Sequence, residues 1–237
     1  MRSRPVLTVL AATVGVVGVV VVVAGCAADV GPRMTEQRDT PDARAVELMG
    51  SGSVRIEHGE VASLSVTAGE RAMAHLVDEV HDGVLRLGVA PGRHRVGRVE
   101  WTVVLPELRA VSVRGSGDVL ARGATGERLT VTVMGSGDVR VDDVDVQDVS
   151  VAIRGSGDVV LAGVTDRQQV SIEGSGDYRG ADLSSATAVV TVRGSGDTWV
   201  HVVDELEVSV RGSGDVTHTG GAAVVQDVAG SGGVRGR

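Results

Sequence analysis

Six aspartates recur at a near-constant interval, Asp118, Asp138, Asp158, Asp177, Asp197 and Asp215, each closing a Gly-Ser-Gly-Asp tetrapeptide. The tetrapeptides begin at Gly115, Gly135, Gly155, Gly174, Gly194 and Gly212, in steps of 18 to 20 residues, and an altered seventh copy, Gly-Ser-Gly-Gly, begins at Gly230. Repeats of this length cannot bury an apolar side alone and must stack on their neighbours. Stacking brings the carboxylates into a column with about 4.8 Å between neighbours, where each pair repels by about 0.9 kcal/mol in water. Two chemistries could offset that repulsion. Solvent screening, Asx-type hydrogen bonds to the turn, and the arginines that precede several tetrapeptides would keep the column as a solvated face. Calcium, which takes carboxylate, hydroxyl and carbonyl oxygens, would instead make it a metal site.

The calcium alternative draws on a likeness. Gly-Ser-Gly-Asp is similar to the Gly-Gly-x-Gly-x-Asp of calcium-binding β-rolls, which repeats about every nine residues rather than every 18 to 20. Catalysis has less to work with. His58, His75, His81, His94, His201 and His218 show no metal-ligand spacing such as His-x-x-x-His. A nucleophilic serine needs one position with a base beside it, whereas the serines of the repeat are identical turns. Sugar-cleaving β-helices set clustered acids or a basic residue beside aromatic platforms, and the only aromatics here are Trp101, Tyr178 and Trp199. The chain is expected not to be an enzyme and to need no cofactor, with calcium on the aspartate column as the alternative.

The elements that position the column follow from parity. In one copy Val131, Val133, Gly135, Gly137, Val139 and Val141 share a parity; in the next, Val151, Ile153, Gly155, Gly157, Val159 and Leu161 do. Alternation at period two identifies strands with one buried face, and its continuation through Gly-Ser-Gly puts both glycines on that side. A two-residue hairpin centred on Ser136 and Gly137 would set Val133 against Arg140, and a three-residue loop would set Val131 against Asp143. Winding into parallel coils stacks each residue on its counterpart one repeat away, like on like. No proline follows Pro106, which suits uninterrupted ladders. The expected fold is all-β: a parallel β-helix of about seven coils, about 34 Å tall, over residues 111–237. Residues 43–110 differ, with strand-like runs at 54–57, 61–67, 84–89 and 99–105, a hairpin signal at Asp82-Gly83 and an irregular Gly-Ser-Gly at Gly50. They are expected to form an N-terminal β cap over the solenoid's open edge.

The net charge is −8, and −10 once Arg2 and Arg4 are set aside, so nucleic acid, which demands a basic footprint, is not an expected partner. With 34 glycines, no Phe and no Lys, the core must be built from Val, Ile, Leu and Ala. The N-terminus carries Arg2 and Arg4, an apolar run from Val6 to Val23, and then Val23-Ala24-Gly25-Cys26. This resembles a bacterial lipoprotein signal with its lipobox. The resemblance implies a signal peptide over residues 1–25, cleavage after Gly25 and lipidation of Cys26, the only cysteine; an uncleaved anchor helix is the other reading of the apolar run. Residues 26–42 are polar, hold Pro32 and Pro41, and are expected to form a tether.

The order Gly50-Ser51-Gly52-Ser53-Val54, Asp82-Gly83-Val84-Leu85, Val104-Leu105-Pro106-Glu107-Leu108 and then tandem Gly-Ser-Gly-Asp copies resembles the auto-transporter adhesin head, or GIN, domain family over about residues 43–234. Membership implies a β-helical, often lipid-anchored extracytoplasmic protein and brings no catalytic residues. The expectation is a lipid-anchored module on the outer face of the cell membrane, non-catalytic, with an adhesion or scaffold role. Its partners are the membrane through Cys26 and a surface ligand, protein or glycan; a calcium-dependent binding module is the alternative.

Overall fold

Strands with one buried face must close on themselves or on a partner, and the computed structural model, which describes residues 30–39 and 42–237, shows how they do so. Cys26 and the apolar run from Val6 to Val23 lie outside the described residues. In chain order the elements are β1 (Arg33–Arg38), β2 (Ala45–Gly50), β3 (Ser53–His58), β4 (Ser63–Gly69), the single helical turn α1 (Glu70–Met73), β5 (Leu76–His81), β6 (Val84–Val89), β7 (Glu100–Leu105) and β8 (Ala110–Gly115). The long strands β9 (Asp118–Gly135), β10 (Val139–Gly155), β11 (Val159–Gly174), β12 (Tyr178–Gly194) and β13 (Thr198–Gly212) follow, then β14 (Val216–Thr219), β15 (Ala223–Gly230) and β16 (Val234–Gly236).

Each long strand wraps most of one coil. Along β10 the buried residues are Val139 and Val141, then Val144 and Val146, then Val149, Val151 and Ile153. Alternation holds within each group and slips by one residue between them, so the coil has three walls and turns twice inside a continuous strand. Asp143, with φ 58°, occupies the first slip. The third corner is the tetrapeptide. Gly155 has φ 136°, a conformation that side-chain-bearing residues rarely adopt, while Gly157 is buried. A Cβ on either glycine would run into the backbone carbonyl of its counterpart in the preceding coil, Gly135 or Gly137. The Gly135 carbonyl accepts two N–H groups from the next coil, those of Ser156 at 2.9 Å and Gly157 at 3.2 Å. Both glycines are thus required by the closeness of the stack.

Register is like on like. Val133 lies on Ile153, Ile153 on Ile172 and Ile172 on Val192, all buried, while Ser136, Ser156 and Ser175 are exposed. Burying each such side chain contributes about 1.5–3 kcal/mol, which is how a core nearly free of aromatics holds. The solenoid makes about six turns, close to the seven coils expected.

The N-terminal region is built differently from a simple lid. β2, Gly50-Ser51-Gly52 and β3 form a coil that stacks in parallel on β8 and the start of β9. β6 and β7 stack in parallel on the other side of that coil. Antiparallel strands then close the end: β5 on β6, β4 on β7, and β1 on β4. The Asp82-Gly83 hairpin joins β5 to β6, both turn residues having positive φ. One expectation is corrected here. Residues 33–38, read from the sequence as part of a tether over 26–42, are strand β1, paired along its length with β4. An edge strand bonded on one side and exposed on the other needs no apolar alternation, so its polar sequence resembled a linker.

Candidate functional site

All six ladder aspartates stand on one outer face, one per coil, immediately after the glycine corner. Their carboxylates do not cap their own turn. Oδ1 of Asp118 accepts the backbone N–H of Asp138 at 3.1 Å, that of Asp138 the N–H of Asp158 at 2.8 Å, and that of Asp158 the N–H of Asp177 at 2.9 Å. Asp177 does the same for Asp197, Asp197 for Asp215, and Asp215 for Gly233, at 2.8 to 2.9 Å. The main chain completes the step, since Val139 N–H donates to the Asp158 carbonyl at 2.9 Å. At the corner the sheet ladder runs through side chains, and each carboxylate stands in for a carbonyl that the turn has carried out of reach. In the seventh copy Gly233 stands where the other copies have aspartate, and its N–H is the last donor of the ladder among the described residues.

Three of the six aspartates, Asp158, Asp177 and Asp215, also meet arginines, though not those that immediately precede the tetrapeptides. Arg179 Nη2 lies 3.0 Å from Asp158 Oδ2 and 3.2 Å from Asp177 Oδ2, and Arg235 pairs with Asp215 at 3.3 Å. The preceding arginines pair with other acids instead: Arg154 and Arg193 flank Glu173 of their own row at 3.5 and 3.4 Å, and Arg114 meets Glu47, two residues away in register, at 2.7 Å. On another wall Arg128 and Arg167 bracket Asp148, and the hydrogen bond from Arg167, 2.8 Å long, holds that carboxyl below its usual range.

Beside the aspartates runs a second outward row in which Arg55, Leu120, Arg140, Val160, Arg179 and Trp199 succeed one another in register. The Arg179 guanidinium sits 5.9 Å from the centre of the Trp199 ring. Trp199 is the one aromatic side chain that is not buried; Trp101 and Tyr178 are core residues. A shallow groove of about 510 Å³ lies along the first coils of this face between Asp118, Asp138, Asp158, Arg98, Arg140 and Arg179. A neighbouring hollow of about 660 Å³ shares Arg55, Leu120 and Arg140 with it.

The other candidates scatter. His75 and His94 stack with ring centres 3.9 Å apart, His201 Nδ1 is 2.9 Å from Thr219 Oγ1, and His81 is exposed beside Asp82. Among the described residues no group of three or more His, Cys, Asp or Glu side chains is arranged to hold a metal ion. None of the tetrapeptide serines is hydrogen-bonded to a histidine there. Cys26 lies outside the described residues.

No curated protein is significantly similar in sequence. Solved structures share the fold. A "putative adhesin" from Bacteroides fragilis NCTC 9343 superposes with a TM-score of 0.83 at 20% identity, covering 86% of this chain and 97% of that one. A "putative lipid binding protein" from Parabacteroides distasonis ATCC 8503 gives 0.69 at 22% identity, with 86% and 96% covered. A "putative adhesin" from Parabacteroides merdae ATCC 43184 gives 0.66 at 21% identity, with the same coverage. The sequence itself matches one family across residues 44–222, the greater part of the chain and all of the stacked coils up to β14, and it belongs to that family, described as "Putative auto-transporter adhesin, head GIN domain".

Proposed function

We propose that the chain is a lipid-anchored, extracytoplasmic, non-catalytic adhesion or scaffold module of the cell envelope, held to the membrane through an acylated Cys26. The observation that carries this reading is the outer face. Its carboxylates recur coil after coil, each bonded to the main chain of the next coil, with Arg179 and Arg235 beside three of them, which suits an extended contact surface and poises no single group against a base. The family description and the names of its structural relatives point the same way, and Val23-Ala24-Gly25-Cys26 supplies the address. The ligand is a surface protein or glycan lying along the stack, against the row that contains Arg179 and Trp199. β1 begins shortly after Cys26, so the N-terminal end of the stack faces the membrane and the last coils point away from it.

Cys26→Ser tests the address. The variant should accumulate as an unprocessed precursor without acyl groups, whereas the natural chain should begin at a diacylated cysteine by mass spectrometry. A natural chain with an unmodified Cys26 thiol refutes the lipoprotein reading. The immobilised lipid-free domain should retain envelope material, and a folded domain that retains none refutes the adhesion reading.

A further inference from the structure

The two ends of the stack are finished by opposite chemistry. At the N-terminal end the edge strands β1 and β5 carry Arg33, Glu36, Arg38, Asp78 and Glu79, and ion pairs fix several of these: Arg33 to Glu100 at 3.1 Å and Arg38 to Glu36 at 2.8 Å. Charged edge strands are how native sheets refuse further strands. At the other end β15, Ala-Val-Val-Gln-Asp-Val-Ala-Gly, is bonded to β13 alone among the described residues and has a single charge, on Asp227. Its register continues the core: Val224 lies on Leu206, Gln226 on Val208 and Val228 on Val210. Those three partners are no more than 1% exposed, whereas Val224 and Val228 are 37% and 38% exposed and the outward Val225 62%. The last coil thus presents an unguarded strand edge with half-covered core residues beside it.

We propose that this edge pairs with the same edge of a second copy, β15 against β15, antiparallel about a two-fold axis through Gln226. A two-fold contact must be self-complementary, and one register is. With Gln226 opposite the partner's Gln226, Val224 faces the partner's Val228 on the core side, Val225 faces the partner's Asp227 on the outer side, and two amide side chains meet at the axis. A slip of one residue sets core-side valines against outward residues. A slip that centres the axis on Asp227 brings two carboxylates face to face. The chain already closes its other end in this manner, since β4 and β5 cap parallel coils with antiparallel strands. A second copy supplies at the C-terminal end what β4, β5 and β1 supply at the N-terminal end. The edge pairing stands apart from the lipid anchor; its consequence rests on the adhesion reading above. From β1 to β16 there are ten strand steps, about 48 Å, so two copies joined through β15 hold their N-terminal ends roughly 100 Å apart. Two anchors so placed belong to two facing membranes, and the partner of the adhesin is another copy of itself.

The test uses the chain from Ala27 onward, which keeps every described element, in sedimentation equilibrium between about 1 and 200 µM. The natural sequence should dimerise. Gln226→Lys sets two ammonium groups across the axis and Gln226→Glu two carboxylates, so each variant alone should be monomeric with an unchanged circular dichroism spectrum. An equimolar mixture should dimerise again, at least tenfold more tightly than either variant alone, a rescue that misfolding cannot produce. A natural chain that stays monomeric throughout, or variants that dimerise as well as it does, overturns the pairing. In the second arm the acylated protein is carried on phosphatidylcholine vesicles. Clustering that Gln226→Lys abolishes supports contact in trans, while solution dimers without clustering leave the pairing standing and overturn the homophilic adhesion reading.

Discussion

A column of carboxylates in successive coils is tolerable because each does the work of a main-chain carbonyl. The N–H of Asp158 finds Oδ1 of Asp138, and every step of the ladder repeats that bond. The contribution of such a bond, about 1 kcal/mol, is similar in size to the repulsion between neighbours. Asparagine keeps the acceptor and removes the charge; alanine removes both. Asp138→Ala should therefore lower stability by about 1 kcal/mol and Asp138→Asn should be neutral or slightly stabilising, in urea titrations of the two variants. Exchanging Asp138, Asp158 and Asp177 together for Asn deprives Arg179 of two exposed ion pairs, a small loss. Millimolar calcium should leave the melting temperature of the natural protein unchanged. A calcium-dependent rise that the triple Asn variant lacks would make the ladder a metal site. The recurrence of aspartate and its stacking in a column were legible in the sequence, from the fixed spacing of the tetrapeptides. The partner was not legible, because it lies some 20 residues away and the local alternative, a turn capping itself, uses the same residue type.

Among the elements, parity carried the register of the strands and the inward glycines, but not the corners. Two of the three turns in each coil occur inside strand sequence; at the first, Gly123 and Gly163 have positive φ, but the coil between them places Asp143 there, so no constant glycine announces the corner. Nor could parity show that β6 and β7 stack outside β2 and β3, since the chain leaves the second coil to build the first and then returns. Among the buried side chains that depart from their row is one with a hydrogen-bond chain behind it. Where the coils before it place Val119, Val139 and Val159, β12 places Tyr178, fully buried, and Gly180 leaves room for the ring. Burial drives its phenol well above the usual range, so it stays a donor: to Gln168 Oε1 at 3.0 Å, with Gln168 Nε2 donating to Ser185 Oγ at 2.7 Å and Ser185 to the His201 carbonyl at 3.2 Å. Tyr178→Phe strands the Gln168 oxygen in an apolar lumen and should cost about 1–3 kcal/mol in chemical denaturation. Adding Gln168→Leu should recover part of that loss, because Ser185 keeps its bond to His201; a double variant less stable than Tyr178→Phe would show that the chain of bonds matters beyond its individual partners.

At the scale of the whole molecule the stack is a one-dimensional array in which each coil is stabilised by the coils on either side of it, so stability should be lowest where one neighbour is missing. The ends are not equivalent. β2, β3 and β8 lie beneath the antiparallel strands of the N-terminal end, while β15 and β16 each have a single strand neighbour and every residue of β15 is exposed. Opening of the last coil breaks one set of ladder bonds and uncovers one layer of valines, whereas opening at β10 breaks the ladders on both its sides. Hydrogen exchange should therefore run as a gradient along the stack. In dilute protein the amides of β14 to β16 should exchange at least about tenfold faster than those of β10 to β12, measured by mass spectrometry on peptides from each coil. Uniform protection from β2 to β16 would mean that the solenoid opens only as a whole and that its exposed edge has no separate equilibrium. The same measurement bears on the edge pairing, because a second strand laid along β15 closes the lowest-stability step of the gradient. Protection of β15 should rise with protein concentration while β1 and β5, guarded by their charges, remain as they were, and that selective change locates the contact at the C-terminal end of the stack.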